Sequence, residues 1–213
     1  GDVFVLDEGW RGSAVIKLAG NSSQLFDTSG ADQPGHAVPS IEIDSTGGTV
    51  TFNNNVRTYG SSWRHTQGNV DMGTNTLEIY NSSGSSDVYP GTMTYNNVSL
   101  TGWAHTINFN GGIMDIAGDL FIEDTYNTSS LAYTLNNGTL SVKGDVTISD
   151  HGRPGTAIIS LDGTTNQTFD ASGATTGKER FPSLAINSTG GTVSFLGEFQ
   201  IYGNYTYTQG NVD

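Results

Sequence analysis

Apolar and polar residues alternate with a period of two along most of this chain. Residues 112–124 read GIMDIAGDLFIED and residues 138–150 read GTLSVKGDVTISD. In the first stretch Met114, Ile116, Leu120 and Ile122 fall on one side; in the second Leu140, Val142, Val146 and Ile148 do. Val193, Phe195, Phe199 and Ile201 repeat the arrangement near the end. Period-two alternation predicts short β-strands. Gly paired with Asp or Asn between the runs predicts tight turns. No window carries a helical period.

The strands recur in register. The two stretches above match without a gap at an offset of 26; INFNG at Ile107 and YTLNN at Tyr133 precede them at the same offset, and ISLDG at Ile159 reads as a looser third copy of these. A longer repeat encloses the short one. Residues 12–50 align without a gap to residues 155–193, so Gly12 recurs as Gly155, 143 positions on. STGGTV occurs in both, and TQGNVD recurs at Thr66 and Thr208, 142 positions apart.

A unit of 26 residues cannot bury its own apolar side, but stacked units bury it along a continuous axis. The expected fold is all-β: a right-handed parallel β-helix, or β-solenoid, of 26-residue coils. About eight coils spaced by about 4.8 Å would make a rod about 40 Å long. Residues 1–143 form the first long unit and 144–213 a partial second, together one continuous solenoid. Continuation of the pattern at both ends is expected, by more chain or another subunit. The alternative is a tandem of β-sandwich domains of about 71 residues each. Stacking also predicts ladders of equivalent residues: an internal one of Asn110, Asn136 and Asp162, and a glycine ladder of Gly118, Gly144 and Gly197 where the chain bends with positive φ.

Composition narrows the function. Hydrophobic residues are 34 %, below the roughly 45–50 % of compact globules, which suits thin stacked layers. Net charge is −13 with eight Lys plus Arg, which argues against nucleic acid and anionic membrane surfaces. Cysteine is absent, so there is no disulfide framework and no thiolate chemistry. No apolar run reaches the roughly 20 residues of a membrane helix, and no membrane insertion is expected. These traits suit a secreted, extracellular or cell-surface protein.

The GDLFI, GDVTI and STGGTVSF segments, with GNVDMGTNTLEI from Gly68, resemble the β-strand-repeat regions of large bacterial and archaeal surface proteins, including filamentous-haemagglutinin-type adhesins. That resemblance implies a β-solenoid with an extracellular surface role. It carries over no functional residue.

Candidate chemistry starts with corner acids. Asp119 and Asp145 are equivalent, as are Asp124 and Asp150. Stacked carboxylates repel, and Ca²⁺, the one cofactor considered, would relieve that. The competing reading is Asp that caps its own turn. Tyr59, Trp63, Tyr202, Tyr205 and Tyr207 group at related positions and would form a glycan platform, or serve as core and cross-strand aromatics. The histidines His36, His65, His105 and His151 read as surface or loop residues, and the basic residues show no cluster in sequence. Eight N-x-S/T sequons follow from an Asn- and Thr-rich composition. No enzyme is expected. The expected role is a structural or adhesive segment of a rod or filament, self-associating head to tail. The alternative is a carbohydrate-binding or carbohydrate-processing β-helix, such as a phage tail fibre or spike, with glycans as partners.

Overall fold

A computed structural model describes residues 1–5, 14–29, 37–59, 62–81, 84–102, 105–123, 134–151, 153–174 and 180–213. The chain is an all-β solenoid whose strand pairings are parallel. That arrangement rules out tandem sandwiches, which need antiparallel hairpins.

Three long ladders line the rod, beside shorter ones of Val3–Phe4, Gln24–Asp27 and the ends of Ser40–Phe52 and Ser62–Asp71, and of Arg180–Phe181 with Gln200–Ile201. The first face stacks Val15–Gly20 on the start of Ser40–Phe52, then the start of Ser62–Asp71, then Gly84–Tyr89, His105–Asn108 and Leu135–Asn136. The second stacks Val56–Tyr59, Thr76–Asn81, Asn97–Gly102, Leu120–Glu123, Val146–Asp150, the start of Gln167–Ala174 and the end of Ser183–Leu196. The third stacks Thr94–Tyr95, Ile113–Ile116, Thr139–Val142, Ile158–Leu161, the start of Ser183–Leu196 and the start of Tyr205–Val212.

The alternation read from the sequence places the core. Met114, Ile116, Ile122, Leu140, Val142, Val146 and Ile148 are fully buried, and Leu120 is nearly so. Each turn contributes a thin apolar layer, and burial of each such side chain contributes about 1.5–3 kcal/mol.

The long repeat holds at the level of register. Gln24, Leu25 and Phe26 pair with Val50, Thr51 and Phe52; their counterparts Gln167, Thr168 and Phe169 pair with Val193, Ser194 and Phe195. Ile41 and Ile43 pair with Trp63 and His65, while Leu184 and Ile186 pair with Tyr205 and Tyr207. The copies lie on different faces, however. Val15–Gly20 belongs to the first face, whereas its counterpart Ile158–Leu161 belongs to the third. One long repeat therefore ends one face further round the rod than it began.

The 26-residue coil is not uniform. Ile113 pairs with Thr139, 26 residues on, but Thr139 pairs with Ile158 after 19 and Ile107 with Leu135 after 28. Turn length varies because only the strand segments must match; the corners absorb insertions. The ISLDG copy is thereby corrected: Ile159 pairs with Leu140, 19 residues back rather than 26.

Candidate functional site

The corner acids act as acceptors for the turn that follows. Asp119 Oδ1 accepts the Asp145 N–H at 2.8 Å, and Asp145 Oδ1 accepts the Thr168 N–H at 2.7 Å. Asn97 precedes them in the same role, its Oδ1 accepting the Asp119 N–H at 2.8 Å. Asp2, the counterpart of Asp145, accepts the Leu25 N–H at 2.8 Å. At these corners the main-chain ladder lapses, and a side-chain oxygen satisfies the donor that would otherwise be orphaned. Asp150 stands apart, with a left-handed φ of 60°. Asp124 lies outside the described residues. Among the described residues no group of three or more His, Cys, Asp or Glu is arranged to hold a metal ion.

The glycine ladder is partly rearranged. The Gly144 N–H donates to Gly118 O at 2.9 Å, so those two stack. Neither has positive φ: a side chain at Gly144 would run into Asp119 Oδ1 and the Gly118 backbone, so close approach sets the requirement. Gly197 has φ 81° and packs instead over Ala171 and Ser172.

The asparagine ladder is external, not internal, and has different members. Asn136 pairs with Asn108 rather than with Asn110. Asp162 lies past Ile158–Leu161, where its N–H donates to Val142 O at 3.1 Å. The shortened turn before Ile158 moved it out of register. Asn110 instead lies beside Asn108 and Asp87, its Nδ2 donating to Asp87 Oδ1 at 3.2 Å.

The five aromatics do not form one platform. Trp63 is 1 % exposed, and its Nε1–H donates to Tyr95 Oη at 2.8 Å. Tyr95 Oη passes a hydrogen bond to Pro90 O at 2.9 Å, and burial pushes the phenol's pKa upward, so it remains a donor. Tyr59 stacks on Tyr80 with centroids 5.6 Å apart. Tyr202 lies beneath the Arg180 guanidinium, 5.6 Å from its centroid. Tyr205 and Tyr207 are about half exposed and are the register counterparts of the buried Trp63 and His65.

Two histidines are buried rather than superficial. His65 Nδ1 accepts the Thr92 N–H at 3.3 Å, and its Nε2 lies 3.0 Å from Gly68 O. His151 is 7 % exposed, and its Nδ1 lies 3.0 Å from Asp150 Oδ1 without hydrogen-bond alignment. His36 lies outside the described residues, as does the side chain of His105.

One charged cluster was invisible in the sequence because its members come from different turns. Arg153 is fully buried, and its Nη2 donates to Gly102 O at 3.3 Å and to Glu123 O at 3.1 Å, tying its own turn to the two before it. Glu78 accepts from Arg57 Nε at 2.6 Å and from Thr101 Oγ1 at 2.5 Å. Desolvation, then the Asp150 and Glu78 charges, raise the Glu123 carboxyl above its ordinary range, while Arg153 opposes the shift. Arg153 follows the Asp150 corner and Arg57 opens a strand, so only the fold brings them to one side of the rod.

No family model, no curated protein and no solved structure matches this chain. Any functional reading therefore rests on its own geometry. That geometry is dominated by devices that join one turn to the next. Lys17 Nζ sits 2.8 Å from both Glu42 and Asp44. Arg64 caps the Tyr89 ring at 3.6 Å from its centroid. Because Lys17, Glu42, Arg64 and Tyr89 occupy successive turns, they form one external row. A feature of different character is an open cleft lined by Asn and Thr at the corner between the first and third faces.

Proposed function

We propose that this chain is a structural and adhesive segment of an extracellular or cell-surface rod or filament. The observation that carries this reading is the long repeat: two copies keep the same strand register within one stack. Polar side chains at the corners are largely spent on joining turns, which suits a mechanical element better than a catalyst. In this reading the chain has no enzymatic role and needs no cofactor, with Ca²⁺ at the acidic corners the one ion its charge would attract. Nucleic acid is no partner for an acidic rod of net charge −13.

Association is head to tail. The outermost strands of a parallel stack present free N–H and C=O groups that pair with a like edge, and such heterologous contact builds filaments when it does not close. Electron microscopy of the purified chain over a concentration series tests this: end-to-end rods or filaments are expected, and compact particles that never associate would refute it. A second reading, a carbohydrate-binding β-helix, is favoured by the Asn- and Thr-lined cleft.

A further inference from the structure

The cleft has a clear origin in the turn lengths. From Ile107 to Ile113 the chain rounds the corner in six steps, from Leu135 to Thr139 in four, and from Gly155 to Ile158 in three. These residues pair turn by turn on either side of the corner, so the corner recedes as a staircase. Asn110 and Asn137 hold the two longer steps outward with left-handed φ of 52° and 54°, a region that Asn tolerates better than most residues. The space left above them is about 570 Å³.

We propose that this stepped corner binds a neutral oligosaccharide. Its volume falls within the usual range of small-ligand sites. Its polar side carries both donors and acceptors. Asn137 Nδ2 gives one N–H to Asn108 Oδ1 at 3.1 Å, and an amide has a second to offer. Thr139 Oγ1 has no protein partner among the described residues. Thr156 Oγ1 donates to Asn136 Oδ1 at 3.3 Å and accepts the Asn137 N–H at 3.2 Å, which leaves one lone pair to offer. Sugar hydroxyls, each donor and acceptor at once, match that mixture.

The lining also carries one aliphatic side chain, Ile158, 38 % exposed. Ile158 pairs in register with Thr139, and Thr139 with Ile113, 60 % exposed, on the strand beyond it. An apolar side chain turned outward in this way suits the C–H face of a sugar ring. The charge points to a neutral ligand. No Lys or Arg lines the cleft, and the Asp87 carboxylate at its edge, which accepts from Asn108 and Asn110, would repel a uronate or sulfate.

Calorimetric titration with cellohexaose, maltohexaose and mannohexaose, and with hexagalacturonate as the anionic control, tests the proposal. At least one neutral chain should bind, and the Asn110 and Asn137 side-chain amides should shift in its NMR spectrum. Ile158→Glu, an outward substitution, should weaken binding at least about tenfold, while Phe4→Glu, on an outward position elsewhere, should leave it unchanged. Thr139→Arg fills the neighbouring position of the same lining and repeats the test should Ile158→Glu misfold. Absence of binding by every neutral probe, binding untouched by both cleft variants, or equal binding of hexagalacturonate would each overturn it. The rod reading is judged by assembly and stands or falls separately.

Discussion

The two copies of the long repeat show which parts of a solenoid turn are fixed and which are free. Ser40–Phe52 and Ser183–Leu196 make the same pairings, yet one lies on the first face where the other lies on the third. Their corners agree atom for atom. Ser45 Oγ donates to Gly47 O at 2.7 Å and Ser188 Oγ to Gly190 O at 2.6 Å. Gln67 Nε2 reaches Asp44 at 2.8 Å, and Gln209 Nε2 reaches Asn187 at 3.1 Å. Even a changed residue keeps its contact: His65 Nε2 lies 3.0 Å from Gly68 O, and Tyr207 Oη donates to Gly210 O at 2.5 Å.

Outward positions differ freely. Lys17 and Glu42, an ion pair, and Arg64, stacked on Tyr89, become Ser160, Ala185 and Thr206 in the second copy. Corners and inward positions therefore set register, and outward rows set only surface character.

The comparison breaks most severely at the corner glycines. Gly48 and Gly191 have φ of 69° and 72°, and a side chain at either would run into the backbone of the preceding turn, at Ser22–Ser23 and Thr165–Asn166 respectively. Gly48→Val and Gly191→Val should each cost more than about 4 kcal/mol, or prevent folding, by urea denaturation. A mild effect in either copy would separate the two corners.

Core truncation comes next. Leu140→Ala and Ile43→Ala remove fully buried side chains between neighbouring turns and should cost about 2–5 kcal/mol. Trp63→Phe loses the hydrogen bond to Tyr95 and leaves that buried hydroxyl short of a donor, for about 1–3 kcal/mol. The counterpart Tyr205→Phe, at a half-exposed position, should stay within about 0.5 kcal/mol.

The smallest effect is electrostatic. The folded state raises the Glu123 carboxyl above its ordinary value of 4.5, so it holds its proton more tightly than the unfolded chain does. Its contribution favours folding at acid pH and is lost as pH rises through the folded value. Stability of the wild type relative to Glu123→Gln should accordingly improve as pH falls from neutral towards that ordinary value. Below it the sign reverses elsewhere. Asp27, Asp44 and Asp170 are held low, by bonds from Ser29, Lys17 and Ser172 respectively, and lose that support on protonation.

Much of the fold was legible. Alternation located the inward residues because a strand's two sides differ in burial, and the repeated STGGTV and TQGNVD segments located the corners. What escaped depended on turn length. A sequence offset of 26 carried Asn136 to Asp162, but the turn between them is shorter, so the predicted ladder dissolved. The one-face rotation escaped for the same reason, since it accumulates over several unequal turns. Arg153 was unreadable because its carbonyl partners, Gly102 and Glu123, lie 51 and 30 residues earlier. The stepped cleft is likewise a difference between turns, with no motif in any one of them.

Paired cysteines in this cysteine-free chain test whether both copies keep one register. Lys17 faces Glu42 in the first copy, and Ser160 faces Ala185 in the second; neighbouring parallel strands lie within disulfide reach. Lys17→Cys with Glu42→Cys and Ser160→Cys with Ala185→Cys should both oxidise to intramolecular disulfides at similar rates. Pairs displaced by two residues along one strand, Lys17→Cys with Asp44→Cys and Ser160→Cys with Asn187→Cys, should oxidise far more slowly. Crosslinking of only one in-register pair, or faster closure of the displaced pairs, would contradict the account.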